Sequence, residues 1–196
     1  MPEPQDFVIE PERYELQEGP AYTFTPTRRE FVELVGAGVV LTIFSWNAEA
    51  QQSTQATRLH LGEDGTVTLF SGKVEGGQGA RTELAMAAAE ELRLPLDKIR
   101  VVLADTDLTP NDGITAGSRS TPSTVPAVRK ACAAARQIKE QRGAKSYAEL
   151  AKGTRLDGEA AELTQTGDWK LLGTPQHHLG ARAIVTGEHK YAGRAS

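Results

Sequence analysis

The hydrophobic and polar positions fall into readable periods along the middle of the chain. Residues 58–61 alternate, Asp64 and Gly65 give a turn signal, and residues 66–71 alternate again, which predicts a β-hairpin. Leu84, Ala85, Ala88 and Leu92 then recur at helical spacing among strong helix formers, and Leu94-Pro95 closes that helix. Residues 99–104 read as a buried strand. Residues 105–121 make a long polar stretch with Pro110, Asn111, Asp112, Gly113 and Gly117, and a loop of that length tends to be functional or disordered. A second helix starts near Ser123 or Thr124. Pro126 sits in its first turn, and Val125, Val128, Cys132, Ala135 and Ile138 form its buried stripe. These elements predict an α+β fold, a small β-sheet with two main helices packed on one face. Beyond Arg142 the pattern weakens. Ser146 and Glu149 make a capping box for a short helix, residues 153–167 are polar, and residues 169–172 read as a short strand.

The first 25 residues are polar, rich in acids and prolines, and show no periodicity. Thr27-Arg28-Arg29 follows, then an apolar run over residues 34–46 and the small-residue site Ala48-Glu49-Ala50. Twin arginines, a moderate apolar run and an A-x-A site together predict a secretory leader of the twin-arginine type over residues 1–50, and a periplasmic or otherwise exported protein. The run is too short to span a bilayer comfortably. The other reading of this segment is an amphipathic core helix, although residues 35–44 carry no charge and no clear polar stripe. Glu33 departs from the leader pattern. Residues 51–57 read as a linker.

A chain of 196 residues holds one domain and part of a second. Its formal net charge of −4 argues against a nucleic-acid binder. The single cysteine, Cys132, excludes an internal disulfide and an iron–sulfur cluster held by this chain alone. Among alanines in a helical pattern, it reads as a small core residue. His177-His178 has no third ligand at a useful spacing, and His60 and His189 stand apart, so no metal site is expected.

Between the hairpin and the first helix stand Gly76, Gly77 and Gly79 around Gln78. Glycines here permit positive φ and close approach to the backbone. The helix that follows points unsatisfied N–H groups and a partial positive charge at the loop, an arrangement suited to an anion. The loop is not a P-loop, because Gly72-Lys73 is followed by Val74 and Gly65 lies too far upstream. It lacks the third glycine of a dinucleotide fingerprint, where Thr82 stands, although Asp105 occupies a place suited to a ribose-binding acid. A turn that merely packs strand on helix is the plainer alternative.

Val74-Glu75-Gly76-Gly77-Gln78-Gly79-Ala80-Arg81-Thr82 closely resembles the Gly-Gln-Gly loop of the molybdenum hydroxylases, the xanthine dehydrogenase and aldehyde oxidase family. Ala104-Asp105-Thr106-Asp107 and Gly113-Ile114-Thr115-Ala116-Gly117-Ser118-Arg119-Ser120-Thr121 resemble that family's second cofactor loop, notably in the branch containing the large (beta) chain of isoquinoline 1-oxidoreductase. The resemblance is good over residues 58–136 and looser elsewhere. Leu172-Gly173-Thr174-Pro175 and residues 183–192 resemble the junction into the family's substrate-facing domain.

The resemblance implies a molybdopterin-binding subdomain over residues 58–142 and a connecting segment over residues 143–196. It implies a molybdenum–molybdopterin cofactor in a dinucleotide form. Gln78 would lie beside the metal's oxo group. Gly77 and Gly79 would bring backbone N–H groups to the cofactor, and Gly117, Ser118, Arg119, Ser120 and Thr121 would face its pterin and phosphate portion. A salt bridge for Arg119 and loop capping for Ser118 and Ser120 remain alternatives. The implied reaction is hydroxylation of an N-heterocycle or aldehyde with oxygen from water. No segment matches the family's catalytic glutamate: Glu75 adjoins the loop, while Glu83, Glu90 and Glu91 fall in the helical pattern, where solvated roles are ordinary. Implied partners are a 2Fe–2S subunit, the remaining large-subunit domains, a cytochrome c as electron acceptor and a small-molecule substrate. The chain alone is then expected to be inactive. Two other readings stay open: a truncated, non-catalytic remnant or assembly piece, and a nucleotide-binding oxidoreductase module.

Overall fold

A computed structural model describes residues 38–47, 52–152, 156–158 and 161–189. Five strands form one sheet: β1 (Gly38–Asn47), β2 (Gln52–Gly62), β3 (Val67–Ser71), β4 (Ile99–Leu103) and β5 (Leu156–Gly158), in the order β4-β3-β2-β1-β5. The predicted hairpin is β2–β3, antiparallel with Leu59 opposite Leu69 and Leu61 opposite Val67. Its turn is closed by Asp64, whose carboxylate accepts from Thr66 N at 2.9 Å and Thr66 Oγ1 at 2.6 Å. β3 and β4 are parallel, joined by helix α1 (Ala80–Leu92), as a parallel pair requires a crossover. Helix α2 (Val125–Gln141) follows β4 and packs on α1.

The period-2 rule explains the layers. Leu59, Leu61, Val67, Leu69, Ile99 and Val101 share one sheet face and enter one core with Leu84, Ala85, Ala88 and Leu92 of α1 and Val128, Ala131, Cys132 and Ala135 of α2. The expected α+β fold with both main helices on one face is therefore present. Burying the Cys132 thiol among these side chains, with Glu91 nearby, pushes its pKa well up.

At four places the structure adds to or differs from the sequence pattern. Residues 38–47, inside the run read as a leader's apolar part, form strand β1, and its Val39 and Leu41 are buried in the core. From Gln52 onward, the expected linker is the first part of β2. Within the polar stretch after residue 153, Leu156–Gly158 pairs parallel with β1. Residues 169–172 are not a strand, because the N–H groups of Lys170, Leu171 and Leu172 turn onto the Glu90 carboxylate. The short helix α3 (Tyr147–Ala151) has its capping box, with Ser146 Oγ accepting from Glu149 N at 3.1 Å; Glu149 reaches back one residue further, to Lys145 N. Helix α4 (Ala181–Val185) ends the described chain's regular structure.

Candidate functional site

Because β3 and β4 run parallel, their carboxyl ends lie at one edge of the sheet. Residues 72–79 lead from there into α1 and residues 104–119 toward α2, so both loops that carry the sequence motifs start side by side. In open sheets with parallel strands, the crevice outside the carboxyl ends is the usual ligand position. The two loops are then stitched together. Asp112 accepts from Ser71 Oγ at 2.6 Å and from Gly72 N at 2.9 Å. Lys73 Nζ donates to the carbonyls of Ile114 at 2.9 Å and Gly113 at 3.4 Å. Val74 N donates to Thr115 Oγ1 at 2.9 Å. Residues 71–74 thus bond in order to residues 112–115, each contact using a side chain of one loop or the other. Gly72 is required for this approach, since a Cβ there would stand 2.3 Å from the Pro110 carbonyl oxygen.

Inside the glycine loop, Glu75 is the organiser. Its carboxylate accepts from Gly77 N at 2.9 Å, Gly79 N at 3.0 Å and Arg81 N at 2.9 Å. Partial burial opposes its ionisation, but those three N–H groups and the nearby His178 outweigh it and hold the carboxyl below its ordinary range. His178 Nε2 lies 4.0 Å from Glu75 Oε2. The anion expected at the start of α1 is therefore, in this structure, the chain's own Glu75. Such a depressed carboxylate, already accepting three N–H groups, is a poor general base near neutral pH. Gly77 (φ 100°) and Gly79 (φ 85°) carry the left-handed turns that bend the loop around it.

Gln78 is exposed, yet its amide is engaged. Nε2 donates to the Val74 carbonyl at 2.7 Å, and Oε1 accepts from Gly76 N at 2.6 Å. One Nε2 hydrogen and one Oε1 lone pair remain available. In the second loop, Asp105 accepts from Asp107 N at 3.0 Å and Leu108 N at 3.1 Å, so it serves a turn of its own backbone. Gly117, Ser118, Arg119 and Thr121 are exposed, and Ser120 is half-buried. Ser118 is held at φ 54°, a left-handed conformation that a non-glycine residue adopts at some cost. Ser120–Thr124 then forms a π-helical turn into α2, a feature often found beside functional sites. Ser123 Oγ donates to the Arg119 carbonyl, so neither Ser123 nor Thr124 caps the helix with its side chain. Arg119 makes no ion pair among the described residues.

Glu90 and Glu91, expected as ordinary helix-surface acids, are buried. Glu91 receives Arg129 (2.7 Å), Arg136 (2.9 Å) and Thr164 N and Oγ1 (3.0 and 2.9 Å). Arg129 also lies over the Trp169 ring, 5.3 Å from its centroid. Glu90 accepts from the N–H groups of residues 170–172, and Thr82 Oγ1 accepts from Leu179 N at 3.0 Å. Residues 161–180 are thereby strapped across α1 and α2, and a groove of about 920 Å³ runs between strap and helices, away from the glycine loop. The signal was legible in part: Arg129 and Arg136 are seven apart and must share a face of α2.

A sequence model of the family described as "Molybdopterin cofactor-binding domain" matches residues 14–193. The chain belongs to that family. A nicotinate dehydrogenase subunit of Pseudomonas putida is 31% identical over 156 residues, covering 66% of this chain and 13% of that protein. Xanthine dehydrogenase of Blastobotrys adeninivorans is 37% identical over 98 residues, 50% of this chain and 7% of that protein. The xanthine dehydrogenase molybdenum-binding subunit of Escherichia coli O157:H7 is 35% identical over 98 residues, 48% of this chain and 13% of that protein. The chain thus spans about an eighth or less of these relatives, which are oxidoreductases. The residues present fit the family's cofactor. Gly77 has open space where a Cβ would stand, Gly117 has only the Arg119 stem nearby, and the exposed Ser118 and Thr121 hydroxyls and Arg119 offer donors to phosphate oxygens.

Proposed function

We propose that this chain forms the cofactor-holding part of a molybdenum hydroxylase large subunit that hydroxylates an N-heterocycle or an aldehyde with water-derived oxygen. The observation that carries the reading is the ordered side-chain stitching of residues 71–74 to 112–115, which holds both motif-bearing loops together at one edge of the sheet. When bound, the molybdenum cofactor supplies the redox chemistry, accepting two electrons from the substrate carbon. Gly77 and Gly79, whose N–H groups are held by Glu75, offer it a close approach free of side chains. Ser118, Arg119, Ser120 and Thr121 bind its pterin and phosphate portion, the latter as a dinucleotide. Gln78 would offer its remaining Nε2 hydrogen to the metal centre, a donor that adds no charge. The catalytic base, the iron–sulfur relay and the acceptor, a cytochrome c, belong to partner chains, beginning with a 2Fe–2S subunit and the remaining large-subunit domains.

The test is elemental and pterin analysis of the chain purified with those partners from a host that makes molybdopterin. Stoichiometric molybdenum, pterin and released nucleotide are expected; their absence sinks the reading. Export by the twin-arginine route is proposed on Arg28, Arg29 and Ala48-Glu49-Ala50. Two observations weigh against cleavage after Ala50: β1 contributes Val39 and Leu41 to the core, and the family match runs through this segment. An N-terminal sequence starting near Gln51 in a periplasmic fraction supports the proposal, and cytosolic protein starting at Met1 defeats it. Among the described residues, no helix is long and apolar enough to cross a membrane.

A further inference from the structure

We propose that Lys73 is the positioning residue of the cofactor site, setting residues 113–121 against the Gly-Gln-Gly loop. This rests on the cofactor-binding reading above. Lys73 is 2% exposed, an unusual position for a lysine, which normally keeps its ammonium in water. Its side chain lies under the loops and gives its donors to two successive carbonyls, Gly113 and Ile114. Those carbonyls sit in a segment with no ladder of its own, where backbone acceptors need partners. A buried ammonium is a directional anchor with three donors, and a charged donor makes a stronger bond than a neutral one.

Its neighbours fix the same register independently, with Asp112 on Ser71 and Gly72 below it and Thr115 on Val74 above it. Four and five residues beyond Ile114 come Ser118 and Arg119, with Ser118 in its strained left-handed conformation. A loop carrying such strain keeps one shape only if its base is held. The side-chain hydrogen bonds of Lys73 among the described residues go to Gly113 and Ile114, neither assigned to the cofactor, so its role is exerted through the loop. Phosphate oxygens demand donors placed to a fraction of an ångström, and a slipped base would misplace all of residues 117–121 together.

The experiment compares wild type, Lys73→Met and Thr115→Val, each co-expressed with the partner chains in a molybdopterin-making host. Three quantities are read: bound pterin per chain, amide hydrogen exchange across residues 112–121, and thermal midpoint. For Lys73→Met, exchange across 112–121 should rise at least tenfold while amides of β3 and α1 keep wild-type protection, and pterin retention should fall at least tenfold. Thr115→Val removes one stitch without touching the lysine, so it should show the same pattern, several-fold smaller, even if Lys73→Met fails to fold. Wild-type pterin retention in both variants, or loss matched by equal loss of protection throughout the domain, overturns the positioning role. Wild type without pterin would instead overturn the cofactor-binding reading, and this inference with it.

Discussion

At the scale of single residues, the site is made mostly by side chains that bond to backbone, with Ser71 Oγ on Asp112 a pairing of two side chains. Gly72 shows how tight the arrangement is. Gly72→Ala places a methyl 2.3 Å from the Pro110 oxygen, so one loop must move. Overpacking of this kind costs about 1–3 kcal/mol, and a shift of the urea midpoint with an unchanged slope is the expected signature. Gln78 makes the contrasting case. Its two bonds lie in an exposed loop, where each contributes about 1 kcal/mol at most. Gln78→Ala should therefore lower turnover of the assembled enzyme by an order of magnitude or more while moving the thermal midpoint by only a few degrees. A variant that turns over normally but melts far earlier would assign Gln78 to the turn alone.

At the scale of elements, α1 is the member on which the rest depends. Its N-terminus is closed by Glu75, its inner face fills the core, and Glu90 and Glu91 near its end hold the strap of residues 161–172. Glu91→Ala would leave Arg129 and Arg136 without their carboxylate, and breaking a buried pair from one side costs about 3–5 kcal/mol. Glu90 adds a pH dependence. Burial opposes its charge, but the N–H groups of Leu171, Leu172 and Lys170 prevail and depress its pKa below the ordinary 4.5. With a depressed folded value, the unfolded chain binds the extra proton, so this stabilisation is complete above pH 4.5 and is lost as pH falls through the folded pKa. Amides 170–172 should then exchange faster in acid before those of β3 do; equal protection throughout would deny Glu90 this role. The sequence disclosed the local elements well: the hairpin, both main helices and the capping box at Ser146 follow from period and cap chemistry. It hid what long-range pairing decides. Residues 38–47 are apolar enough to suit a leader or a strand, and only their partner β2 settles which structure they take. The strap was equally opaque, because residues 170–172 bond to a carboxylate 80 to 82 positions away. At the site, the glycines and Gln78 were visible as a motif. Lys73 and Asp112 were not, since nothing local marks a lysine as buried or an aspartate as a loop stitch.

At the scale of the whole molecule, one edge of the sheet gathers the glycine loop, the second loop and, beside them, Val74 at 50% and Ile114 at 80% exposure. Apolar side chains left in water next to a polar, donor-rich loop suit a surface that a further domain covers. The relatives are long enough to carry one, for this chain corresponds to 13% or less of their length. Catalysis by fixed donors and a general base depends on a largely water-excluded site, and a cofactor resting on two loops alone has water on its other side. One cysteine cannot hold an iron–sulfur relay. The carboxylate in the loop, Glu75, accepts three N–H groups and has its pKa lowered, so it is a poor base near neutral pH. The 196-residue chain reconstituted with molybdopterin should accordingly show weak cofactor retention and no dye reduction with an N-heterocycle or an aldehyde. Added large-subunit domains and an iron–sulfur protein should restore both. Sustained dye reduction by the isolated, molybdenum-loaded chain would mean that a base and an electron exit lie within these 196 residues.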